Sequence, residues 1–265
     1  MVGKSTKRFR HVAEKRWLMS YAAGVGEISG DYYDTTKDLS VHPVFSVCPE
    51  WPVILDAGRV EGSESMTAEE EHTGVHASHD VLIERPIRPD EPLYTSATIT
   101  TVEQRKAGAF RMMRLDTTDE ESNLVLSTHQ GSLSRGVSVV GGDKSIESKP
   151  VLPEIPAGVQ GGRQFTIPVS ANAAHVYTEC ARIYNPIHTD RVVARAAGLP
   201  DIILHGTATL ALVVSCLVNN LFDGNAHLLQ CLYGPKAGSR RDHIAGLRFA
   251  RRGPGSEFSL QQIIR

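Results

Sequence analysis

Residues 204–221, "LHGTATLALVVSCLVNNL", constrain the chain more than any other stretch. They are apolar all round, so as a helix they have no face to offer to water. Asn219 and Asn220 end the run. It falls at the short end of the ~18–20 residues that a bilayer span requires. Such a helix has to be enclosed by other elements, and a sheet wrapped around it is the simplest enclosure.

The chain contains the strands for such a sheet. "GVHASHDVLIERPI" (74–87) and "LYTSATITTVEQ" (93–104) alternate apolar and polar residues, as half-buried strands do. "RPIRPDEP" between them is turn chemistry. "AFRMMRLDTTD" (109–119) and "NLVLSTHQGSLSRG" (123–136) add two more strands, joined by a hairpin at "TTDEES". Ahead of them, residues 11–25 space Val12, Trp17, Leu18, Tyr21 and Ala22 as a helix would, stopping near Gly24 or Gly26. "HPVFSVCPEWPVIL" (42–55) reads as a buried loop entering a short helix.

Residues 137–163 are rich in Gly, Pro and Ser and read as a linker. Beyond them "QFTIPVS" reads as a strand, 171–183 and 189–198 as helical pieces, and "HIAGLRFARRGPGSEFSLQQII" as two strands. "VLIERPIRPDEPLYTSATI" and "GLRFARRGPGSEFSLQQII" share a layout of strand, basic-Pro turn, acid, aromatic and strand. A duplicated α+β unit follows as an expectation: an N-terminal half over 1–140, a linker over 141–163 and a C-terminal half over 164–265.

A net charge of −2 argues against a general nucleic-acid binder. The N-terminus is basic but has no apolar core of a secretory signal. Cys48, Cys180, Cys216 and Cys231 show no paired spacing and read as reduced thiols of an intracellular protein. A cytoplasmic location is expected, with peroxisome or mitochondrion the alternatives in a eukaryote.

Two places carry chemistry. His205 and Gly206 stand at the start of the buried helix, where free N–H groups and partial positive charge favour a developing oxyanion. Gly206 equally suits tight helix packing. His188, in "NPIHTD", lies on a loop ahead of a helix that Asp190 is placed to cap. A rival constellation is His72, His76 and His79 with Asp80, as metal ligands. On an ideal strand, though, His72 and His76 share one face and His79 takes the other. No nucleotide-phosphate loop and no GxSxG elbow is present.

Taken together, "YTECARIYNPIHTDRVVARAAGLPDIILHGTATLA" (177–211) resembles the MaoC-like hydratases, the double-hotdog group that includes peroxisomal hydratase-2 enzymes. "RWLMSYAAGVGE", "HPVFSVCPEWPVIL" and "GVHASHDVLIERPI" are similar to that group's N-terminal hotdog. The resemblance implies an α+β double hotdog, two antiparallel sheets each wrapped around a helix. It implies (R)-specific hydration of trans-2-enoyl-CoA, or the reverse dehydration of 3-hydroxyacyl thioesters. An Asp and a His of the family grip the water, an Asn assists, and the helix N-terminus holds the thioester oxygen.

Carried over, Asn185, His188 and Gly206 are the catalytic candidates, and Arg182, Ile183, Tyr184 and His205 the substrate-binding ones. The family's Asp is Ile183 here, which cannot move a proton. Glu179, Asp190 and Asp201 are the nearby carboxylates that could substitute, and Asp31 stands in an echo of the lost motif in the other half. A non-hydrating thioester binder, or the partner subunit of an active hydratase, is the alternative reading. No metal or redox cofactor is implied, and CoA or an acyl carrier arrives with the substrate. The family pattern continues about two strands past "EFSLQQIIR", so the second hotdog is expected to be incomplete, through truncation or a covering partner chain. A homodimer or hetero-oligomer, with no membrane insertion, is the expected assembly.

Overall fold

The computed structural model describes residues 1–63, 66–71, 73–148 and 165–224, and the backbone of 245–251 and 258–263. Strand β1 (Phe9–Val12) leads into helix α1 (Lys15–Gly24). The helix ends as expected at the glycines: Gly26 takes φ +78°, a left-handed conformation that costs glycine nothing. Helix α2 (Val47–Ala57) and the short α3 (Ala68–Glu71) precede β2 (Gly74–Ile83), β3 (Pro92–Arg105), β4 (Gly108–Thr118) and β5 (Leu124–Arg135).

These strands form one antiparallel sheet in the order β1-β3-β4-β5-β2. One face closes on α2, where Val53 and Ala57 pack on Ala97, Met113 and Leu115. The hairpin between β4 and β5 is secured by Asp119, whose carboxylate accepts from the Asn123 backbone N–H at 2.8 Å. Two small strands fell outside the expectation. One is β1. The other is β6 (Lys144–Ser145), which pairs with β3, so the first sheet extends into the segment read as linker.

The second half begins, among described residues, with coil at 165–170 rather than the expected strand. Pro168 offers no N–H to a ladder, and Ile167 packs on Val213 and Leu217. Helices α4 (Ala173–Ala181), α5 (Arg191–Ala196) and α6 (Gly206–Leu221) follow, then an antiparallel pair, β7 (Ala245–Arg251) and β8 (Phe258–Ile263). The internal echo does not carry through to pairing. β7 bonds directly to β8, whereas β2 and β3 lie at separate places in the first sheet.

The main core spans both halves. Tyr21, Phe45 and Val25 of the first meet Tyr177, Ala208, Ala211 and Val214 of the second. At the seam α1 crosses α4 so closely that a Cβ on Gly24 would lie 2.6 Å from the Cys180 Cβ. Tyr21 adds polar order: its hydroxyl lies 3.2 Å from the Val44 carbonyl and 3.4 Å from the Tyr177 hydroxyl. His42 Nδ1 accepts from the Val44 N–H, so its proton sits on Nε2, 3.0 Å from Ser215 Oγ on α6. Cys48, Cys180 and Cys216 are free thiols, and Cys231 lies outside the described residues. Among the described residues no helix is long and apolar enough to cross a membrane.

Candidate active site

Asn185, Pro186 and His188 form a tight 3-10 turn over Pro186–His188. Asn185 adopts an extended conformation, as a residue before proline does, and its Oδ1 accepts from the Ile187 N–H at 3.4 Å. Asp190 caps α5 through the Val192 N–H at 2.7 Å. The two devices fix the loop that carries His188.

His188 is only 8% exposed. Its Nδ1 lies 2.8 Å from the Ile203 carbonyl. A carbonyl can only accept, so Nδ1 carries the proton and Nε2 presents a lone pair. Among the described residues Nε2 has no hydrogen-bond partner. Burial lowers the imidazole's pKa, while the bond to Ile203 works the other way. The ring is therefore a neutral base at pH 7.

His205 stacks on it, ring centres 3.7 Å apart and planes 24° from parallel. His205 sits at the N-cap of α6, with its Nε2 3.2 Å from Thr178 Oγ1 and 3.4 Å from the Ile183 carbonyl. The Thr178 hydroxyl donates to the Ala174 carbonyl, so His205 donates to Thr178. Burial first, and His188 second, push its pKa down to about 3. Gly206, the next residue, is exposed at the first turn of α6.

Of the remaining candidates Ile183 stays beside the stacked histidines, through its carbonyl on His205, and the others separate. Ile183 is buried in the core with Tyr177 and Ala181. Arg182 turns away toward α1: its guanidinium lies 4.2 Å over the Trp17 ring and 3.6 Å from Glu14. It also ends α4 in a left-handed conformation, φ 58°. Tyr184 is exposed and lines, with Asn185, His175, Glu179 and Thr189, a surface groove of about 270 Å³. Asp201 pairs with Arg191 at 3.1 Å. Among the described residues neither Glu179, Asp190, Asp201 nor Asp31 bonds or ion-pairs with His188.

The sequence reading missed one neighbour. His76 of β2 lies against Gly206: a Cβ there would stand 3.3 Å from His76 Nδ1. The register of β2 against β5 shifts between His76 and Ser78. That bulge re-phases the strand, so His76 and His79, expected on opposite faces, meet edge to face at 5.2 Å. His72 lies outside the described residues. Among those described, no group of three or more His, Cys, Asp or Glu side chains could hold a metal ion.

Residues 11–136 match the MFE-2 hydratase 2 N-terminal domain, and residues 157–231 the MaoC like domain. The chain carries a MaoC like domain behind an MFE-2 hydratase 2 N-terminal domain. Among its relatives, the enoyl-CoA hydratase ChsH3 of Mycobacterium tuberculosis is 26% identical over 57% of this chain and 51% of its own length. The peroxisomal multifunctional enzyme type 2 of Drosophila melanogaster is 21% identical over 81% of this chain and 37% of its own. The chain thus spans about half, or less, of the curated relatives it matches. The crystal structure of a MaoC-like dehydratase from Phytophthora capsici superposes with a TM-score of 0.69 at 21% identity, covering 85% of this chain and 78% of that one. The fold of this chain is that of the MaoC-like hotdog proteins, α+β with antiparallel sheet and helices.

Proposed function

We propose that the chain hydrates trans-2-enoyl thioesters, or dehydrates the corresponding (R)-3-hydroxyacyl thioesters, with His188 as the base. The observation that carries this is the His188 tautomer: Nδ1–H held by the Ile203 carbonyl, Nε2 basic. In the hydration direction Nε2 takes a proton from water as the water oxygen bonds to Cβ. The electron pair moves to the thioester oxygen, which the exposed N–H groups at the start of α6, at Gly206, stabilise. The imidazolium then returns its proton to Cα. Asn185 orients the water through the amide nitrogen that its turn leaves over. Ile183 contributes no proton transfer, so the reaction runs without a group worth ~100- to 10,000-fold.

The test follows the conjugated enoyl-thioester absorbance with the purified chain and enoyl-CoAs of short and long acyl chain. Loss of absorbance, abolished in His188→Ala, is the expected result, and Ile183→Asp should raise the rate at least tenfold. The buried Ile183 favours a second reading, a thioester-binding subunit that does not hydrate. Saturable enoyl-CoA binding without turnover would establish that reading against the first.

A further inference from the structure

Resting on that reading, the geometry points to His76 as a second catalytic residue, which accepts the other hydrogen of the reacting water in place of the family's carboxylate.

The site around His188 contains no bonded carboxylate among the described residues, yet a water attacking Cβ is best held by two acceptors. One is His188 Nε2. The other has to come from a side chain at the same end of α6. His76 meets this from the opposite half of the molecule. Its Nε2 lies 3.0 Å from the Ser78 carbonyl, which can only accept, so the proton sits on Nε2 and the Nδ1 lone pair is left over. That Nδ1 is the atom nearest to where a Gly206 side chain would be, at 3.3 Å. His188 stacks on His205 and His76 lies on Gly206, so imidazoles flank consecutive residues at the helix start.

Three features indicate construction for this role. The bulge after His76 directs its ring and that of His79 into one place. Both His79 ring nitrogens are buried without a hydrogen-bond partner among the described residues. The His76 ring lies directly against Gly206, where a Cβ would stand 3.3 Å from Nδ1 and 3.5 Å from Cγ. In the reaction, His76 keeps its Nε2 proton throughout. It accepts a hydrogen bond at Nδ1, while the water proton moves to His188 and from there to Cα, so no charge is left on His76.

The experiment measures steady-state hydration of enoyl-CoA by the full chain and its His76→Asn, His76→Ala and Ile183→Asp variants, alone and combined. In the otherwise unchanged chain, His76→Asn should lower kcat about 100-fold with KM within about threefold. In the Ile183→Asp background the same change should cost less than about threefold, because the carboxylate supplies the second acceptor. A merely structural histidine would cost the same in both backgrounds, and that result overturns the proposal. Melting temperatures of the variants identify any that fail to fold. Turnover that needs His188 but is indifferent to His76 overturns this inference alone. Turnover that needs His76 but survives His188→Ala leaves it standing and removes the base proposed above. An absence of turnover in the unmodified chain overturns both.

Discussion

Glu50 shows how far a single residue can depart from its solution chemistry. It sits on α2 under the first sheet, fully buried, with one oxygen receiving the Thr128 hydroxyl at 2.6 Å. Burial raises its pKa to about 8, against the lowering effect of hydrogen bonds from Thr128 and Ser46. In the unfolded chain the group ionises near ~4.3. The folded state therefore holds more protons between those values, and stability falls as pH rises across that window, by roughly 1.4 kcal/mol per unit at most. Glu50→Gln should abolish this loss. Urea unfolding at pH 6 and pH 8 should show a drop for the native chain and a smaller one for the variant. Equal drops would mean that Glu50 ionises freely. Nothing in the sequence marked Glu50, since a glutamate in "CPEWP" reads as surface until the sheet closes over it.

At the level of elements, the strands β2 to β5 and helices α1, α2 and α4 to α6 were legible because alternation, helical spacing and caps such as Asp190 are local signals. β1 and β6 were not. Each is short, and its strand character comes from pairing with β3 far along the chain. The His76–His79 relation was illegible for a related reason: one extra residue on β2 inverts the alternation that follows it. Opposite the bulge stands Gly131, paired with Ser78. A Cβ there would lie 2.3 Å from Ser78 Oγ and 2.7 Å from the Phe110 ring. Gly131→Ala should therefore destabilise the chain by about 1–3 kcal/mol through overpacking. Denaturant unfolding measures it, and an unchanged midpoint would mean that the bulge gives way freely. Asp190→Ala tests a cap in the same way. Loss of the bond to the Val192 N–H should cost about 1 kcal/mol, again read from the urea midpoint. The turn that carries Asn185 and His188 and the glycine at the start of α6 were legible because they are sequence-local, whereas the contact of His76 with Gly206 was not, because it comes from the other half.

The whole molecule stores neutral imidazoles in both halves and at the seam. Burial pushes His42, His79 and His205 each down to about 3. Unfolded, each would titrate near ~6.5. Their folded-state pKa values are depressed, so their contribution is complete above ~6.5 and is lost as pH falls toward 3. Three such groups outweigh the opposite slope of Glu50 below ~6.5, and above it, among the described residues, the Glu50 slope remains. Stability should peak near pH ~6.5 and fall more steeply on the acid side. Thermal unfolding between pH 5 and pH 8 gives this profile directly, and a flat acid limb would contradict it. A different consequence follows from the bond between His188 and Ile203. Proton placement on the ring is dictated by a main-chain carbonyl, which every amino acid supplies. Drift at position 203 leaves the ring's polarity intact. Exchange of the Ile203 side chain can therefore alter the packing around the ring without relocating its proton.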